Sequence, residues 1–137
     1  MAIKATEADI PRLVRMGKKF HTSSQWANRY EYSEEGAAHY LSRLINHSGS
    51  TVIINDHGMI GGSMTPVPFL SMRMAQEAFW WAEKRGLSLL LKFEEWARDM
   101  GADYVCMMSL AGGCDRIERL YLHRGYIRSE KTFMKAL

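Results

Sequence analysis

One helix constrains the fold of this chain more than any other feature. From Gly86 to Met100 the apolar residues Leu89, Phe93, Trp96 and Met100 recur at three- and four-residue spacing among charged ones. Gly101 follows at once, where a helix can close through a left-handed residue. Just before this helix, Gln76–Ala82 reads as a strand with an aromatic centre of Phe79, Trp80 and Trp81. Just after it, Tyr104–Leu110 reads as another strand. A helix with one apolar face must bury it against a second layer, so this strand-helix-strand core predicts an α/β domain.

The rest of the chain extends that core. Ala2–Ala5 is a short strand, and Thr6-Glu-Ala-Asp9 supplies side-chain oxygens for a helix start. The helix that follows buries Ile10, Leu13, Val14 and Phe20. A polar, aromatic loop spans His21–Tyr32, and Ser33 opens a second helix with Ala37, Tyr40, Leu41, Leu44 and Ile45 on one face. Thr51–Asn55 and Met59–Met64 read as a hairpin about Asp56-His57-Gly58. Asp115 with Glu118 starts a short helix carrying Ile117, Leu120 and Tyr121, which Gly125 ends, and Tyr126–Lys135 reads as a last strand. The order is βααβββαβαβ, a sheet of mixed direction. With no repeat, low-complexity tract or linker, residues 1–137 are expected to form a single domain.

Composition narrows the class. A chain of 137 residues with 47% hydrophobic and 24% charged residues matches an ordinary globular domain. The longest apolar runs, such as Phe79–Ala82 and Val105–Met108, are far below the ~18 residues of a membrane span. Met1–Asp9 lacks a signal-peptide core, so a soluble, cytoplasmic protein is expected. Lys plus Arg number 18 against 15 acids. Arg116, Arg119 and Arg124 alternate with Asp115 and Glu118 rather than forming the basic stripe that nucleic-acid binding needs. Cys106 and Cys114 have neither CxxC spacing nor a nearby histidine pair, so reduced thiols and no metal are expected.

Three segments then carry a resemblance. Gln76-Glu-Ala-Phe-Trp-Trp-Ala82 looks like the fourth strand of the GNAT acetyltransferase superfamily. Leu87–Gly101, with Phe93-Glu-Glu-Trp-Ala97 and Met100-Gly-Ala102, looks like the helix after that family's acyl-CoA loop. Arg119-Leu-Tyr-Leu-His-Arg-Gly-Tyr126 looks like its C-terminal helix with the LYxxxGY ending. In order and spacing, essentially the whole chain resembles GNAT proteins, particularly small phage-encoded members. The resemblance implies the GNAT fold: a mixed, mostly antiparallel sheet of about six strands flanked by four helices. It also implies acetyl-CoA as cosubstrate and an amine on a small molecule or protein as acceptor.

An amine attacking a thioester needs a cofactor anchor, an oxyanion donor, a base and an acid. By resemblance, the anchor is the start of the central helix, Gly86, Leu87 and Ser88, with Lys84 and Arg85 just before it. Backbone amides near Trp81 and Ala82 would polarise the thioester oxygen. Splaying between Trp80–Ala82 and Met107–Ser109 would admit the pantetheine arm. Tyr121 matches the tyrosine that protonates the leaving thiolate, and Glu77 matches a general-base position, with Glu83 as a lesser alternate. Trp80 and Ser109, with Trp26 and Tyr30 from the first long loop, would face the acceptor. Trp80 and Trp81 should point to opposite faces of their strand. Met64, Met72 and Met74 flank the loop where an acceptor would enter.

The family's phosphate loop reads RxxGxG or RxxGxA. Aligned on Phe93-Glu94, this chain has Gly86 at the last position, Lys84 at the first glycine and Trp81 at the arginine. Arg85-Gly86 stands as a contracted version. That contraction and the aromatic segments support an alternative expectation of another class: a catalytically inactive GNAT-fold phage protein, acting as a virion component or a host-protein-binding module. The aromatic and C-terminal strands could also serve a homodimer.

Overall fold

Capping chemistry sets the first two helices. In the computed structural model, which describes residues 1–110 and 115–137, the Thr6 amide donates to Asp9 Oδ2 at 2.8 Å across a short 3-10 turn. Helix α1 (Ile10–Thr22) follows with Pro11 in its first turn, where a missing N–H costs nothing. Helix α2 (Glu34–Asn46) begins on Ser33, whose Oγ accepts the Gly36 amide at 3.0 Å.

The sheet is a meander with one crossover. Strands β1 (Ile3–Lys4), β2 (Ser50–Asn55), β3 (Gly58–Pro66) and β4 (Arg73–Ala82) run antiparallel in chain order. Helix α3 (Gly86–Asp99) then carries the chain across to β5 (Tyr104–Cys106), which lies parallel to β4. Helix α4 (Asp115–His123) completes the order. Gly101, at φ +78°, closes α3 as expected.

The sheet separates two apolar clusters. On one side Leu13 and Met16 of α1 and Leu41 and Leu44 of α2 pack with Val52, Ile54 and Met59, joined by Phe79 and Trp81. On the other side Leu89, Phe93 and Ala97 of α3 pack with Ile53, Ile60 and Ala75, joined by Trp80 and Ala82. The two tryptophans of β4 therefore do face opposite ways, and both pack against a cluster. Gly62 is required by this packing: a Cβ there would meet the Gln76 carbonyl oxygen and lie 2.7 Å from the Phe93 ring.

The structure differs from the sequence reading at its C-terminal end. There are five strands among the described residues rather than about six, and Tyr126–Lys135 forms none. Strands persist only where an apolar face is buried and a ladder forms. Between Ile127 and Phe133 this segment offers only Arg, Ser, Glu, Lys and Thr, and those two apolar residues are 85% and 88% exposed. Likewise β5 is three residues long, not seven, while β4 starts three residues earlier than Gln76. Cys114 lies outside the described residues.

Candidate functional site

The short β5 opens the sheet. Pairing between β4 and β5 covers Met74–Gln76 against Tyr104–Cys106 and then stops. Beyond it β4 runs on through Glu77–Ala82, held only by β3, while residues 107–110 leave the sheet. A register shift sits at the same place: Gly62 pairs with Glu77 and Gly61 with Phe79, so Ala78 is a bulge without a partner. The composition of Gln76–Ala82 carries no signal for that bulge.

Glu77 and Tyr121 converge on the far side of this opening. The Tyr121 hydroxyl donates to the Met108 carbonyl at 2.9 Å. The Met108 amide is near the Glu77 carboxyl, a contact that favours its charged form. Burial outweighs that contact: Glu77 is only 5% exposed, and its pKa is pushed up to about 7. Burial, and next the nearby Glu77 charge, push the Tyr121 phenol well above its ordinary value, so it stays protonated at neutral pH. The same Glu77 charge reaches Tyr40 of α2 and Cys106 of β5, both raised first by burial. Tyr40 is a site neighbour that sequence periodicity put into the core, yet it is exposed.

Helix α4 is held in place from α3. Glu94, buried in the middle of α3, accepts from Arg124 Nη2 at 3.1 Å and from the Tyr126 hydroxyl at 2.8 Å. The Tyr126 ring packs at a tilt 5.4 Å from Tyr121, which in turn lies 6.0 Å from Trp80. The Gly-Tyr ending of the last helix thus serves to anchor Tyr121 against the central helix.

The start of α3 forms a second part of the site. Only three residues separate β4 from α3, and the last, Arg85, is left-handed at φ +56°. No side-chain hydrogen bond caps this end, so the first-turn amides of Gly86, Leu87 and Ser88 are available to an anion. Lys84, Arg85, Leu87 and Ser88 are exposed, and Gly86 is backed by Trp80, whose indole Nε1 is buried without a partner. A cleft of about 250 Å³ borders this end, lined by Met1, Asn55, Asp56, His57, Arg85 and Ser88.

The other expected residues fall as follows. Trp81 and Ala82 lie on the unpaired stretch of β4 and pair on their other side with Met59 and Gly58. Ser109 is exposed next to Met108. Trp26 and Tyr30 pack together, ring centroids 5.8 Å apart, in the turns after α1, beside a cleft of about 510 Å³. Glu83 is engaged by Lys19 at 2.8 Å, and His123 is exposed on α4. Among the described residues no cluster of three metal-binding side chains occurs, and no helix is long and apolar enough to cross a membrane.

Comparison with known proteins gives the fold a name. No family model and no curated protein matches the chain. Solved structures do. A protein from Arthrobacter sp. FB24, named as an acetyltransferase, is 18% identical with a TM-score of 0.77 over 100% of this chain and 91% of its own. The ribosomal-protein-alanine N-acetyltransferase from Brucella melitensis biovar Abortus 2308 is 9% identical, with a TM-score of 0.71 over 100% and 99%. A transcriptional regulator from Bacillus halodurans C-125 is 16% identical, with a TM-score of 0.76 over 100% and 99%. The architecture is therefore GNAT-like, shared with the two acetyltransferases and the regulator, and at such identities the likeness extends to the fold alone.

Proposed function

We propose that the protein is an N-acetyltransferase that uses acetyl-CoA and acts on an amine. The observation that carries this reading is the meeting of buried Glu77 and Tyr121 at Met108, where β4 and β5 part: the Tyr121 hydroxyl donates to the Met108 carbonyl, and the Met108 amide is near the Glu77 carboxyl. One group has a pKa near neutrality and the other holds its proton, as a base and an acid for the same transfer require.

The residues present fit acetyl-CoA. The uncapped amides of Gly86, Leu87 and Ser88, beside Lys84 and Arg85, suit a pyrophosphate. The open edge of β4 from Ala78 to Ala82 offers backbone groups that β5 does not pair to an extended arm, including those near the Ala78 bulge. Acetyl-CoA, when bound, supplies an activated acetyl thioester. Glu77 takes the proton from the acceptor amine, directly or through one water. Amides of β4 near Trp81 and Ala82 draw electron density from the thioester oxygen. Tyr121 exchanges its bond to the Met108 carbonyl for one to the departing sulfur. The new bond is nitrogen to carbonyl carbon, the broken one is carbon to sulfur, and one proton passes overall from nitrogen to sulfur. Acetyl-CoA use in this way accords with a cytoplasmic protein.

A second reading rests on the loop between β3 and β4. Phe69 there is left-handed at φ +64° and fully exposed, with Leu70 and Met72 exposed beside it. An outward apolar tip of this kind suits a protein-binding module. Thermal melts with acetyl-CoA, CoA or ATP separate the two readings. At ~100 times its dissociation constant a ligand adds about 2.7 kcal/mol. A rise of several degrees with acetyl-CoA and CoA, and much less with ATP, is expected; no rise at millimolar acetyl-CoA would refute the transferase reading.

A further inference from the structure

Arg85 needs an explanation that its own sequence neighbourhood does not supply. A non-glycine residue held at φ +56° and ψ 33° carries backbone strain, so something outside the turn must hold it there. The carbonyl oxygen of Arg85 receives two side-chain donors: Asn55 Nδ2 at 3.1 Å and Ser88 Oγ at 2.9 Å. Asn55 Nδ2 also donates to Ser88 Oγ at 3.1 Å, and Asn55 Oδ1 accepts the His57 amide at 2.8 Å. Asn55 is buried, and its carbonyl oxygen accepts from the Arg12 guanidinium. Every part of this asparagine is thus engaged, and its amide spans from the β2–β3 turn to the first turn of α3.

We propose that Asn55, with Ser88, is a positioning residue: together they clamp the Arg85 carbonyl so that the turn stays left-handed and the amides of Gly86, Leu87 and Ser88 stay free for an anion. The inference rests on the acetyl-CoA reading above and adds how a three-residue connection can hold a phosphate-binding turn. Ser88 contributes through orientation as well: its hydroxyl proton points to Arg85, closing a small cycle with Asn55 rather than occupying the helix end. A longer glycine-rich loop would adopt the left-handed residue without help; here the neighbouring hairpin supplies the constraint.

The test is a cycle between Asn55→Ala and Arg85→Gly, read as CoA affinity by calorimetry and as KM for acetyl-CoA and kcat. In the wild-type background Asn55→Ala is expected to weaken CoA binding and raise KM about tenfold, with kcat at saturation changed less than about twofold. In the Arg85→Gly background the same substitution should cost less than about twofold, because glycine takes the left-handed conformation unaided. A packing defect at Asn55 would not be relieved by a glycine at position 85. Should Asn55→Ala not fold, the exposed Ser88→Ala is used in its place, with a loss of about threefold that Arg85→Gly again removes. Equal CoA affinity in wild type and both clamp variants, or a loss that persists in the glycine background, would overturn the clamp while leaving the acetyl-CoA reading intact. A wild-type protein that binds no CoA would overturn both.

Discussion

Glu77 offers the sharpest quantitative test, because one side chain links stability, pH and rate. A carboxyl that ordinarily titrates at 4.5 is held at about 7 in the folded chain, chiefly by burial. Between those values the folded state binds a proton that the unfolded state has lost. Stability from this group is therefore present below pH 4.5 and disappears as pH rises through about 7. The interval corresponds to roughly 3 kcal/mol at 1.36 kcal/mol per pH unit, an upper value because Glu77 keeps a small exposed fraction. Glu77→Gln has the same shape and cannot ionise. Wild type and variant, melted in parallel from pH 4 to 8.5, should diverge across this window. The variant should gain on the wild type by up to roughly 10 °C at the alkaline end. Other titrating groups cancel in the difference. In activity, the wild type should lose kcat/KM below an apparent pKa near 7, while Glu77→Gln should be slow and show no such limb. Parallel melting profiles would refute the burial argument. An unchanged acid limb in Glu77→Gln would refute the base assignment alone.

Two further outcomes follow from single contacts. Tyr121→Phe removes the bond to the Met108 carbonyl and should cost about 1 kcal/mol in urea unfolding. It should also lower kcat by roughly 10- to 100-fold with little change in KM, and full turnover would remove Tyr121 as the acid. Gly62→Ala drives a methyl into the Phe93 ring and the Gln76 carbonyl, both fixed by the packed sheet. A loss of about 1–3 kcal/mol is expected, and a melting temperature equal to wild type would show that the β3–β4–α3 contact is looser than described.

Much of this fold was readable from local pattern. The periodicity of Leu89, Phe93 and Trp96, the Ser33 cap and the closing Gly101 each depend on residues within a few positions, and each appears where expected, whereas Met100 falls just past the helix end. The opposite facing of Trp80 and Trp81 follows from strand alternation alone. Glu77 and Tyr121 could be singled out because the segments that contain them resemble a known family. Their meeting at Met108 was not readable, since 31 and 13 residues separate Met108 from the two.

Tertiary structure decided the remainder. Whether a segment such as Tyr126–Lys135 becomes a strand depends on a neighbouring edge with a face to cover, and β5 is too short to supply it. The burial that raises Glu77, the bulge at Ala78 and the clamp of Asn55 on Arg85 arise from groups brought together across about 15 to 30 positions. Sequence by itself determined the order and kind of the elements as far as α4, because those reflect nearest-neighbour sterics and the period of apolar residues. The chemistry at the opening between β4 and β5 was decided only by the packed chain, because desolvation and hydrogen bonding depend on which distant groups exclude water from one another.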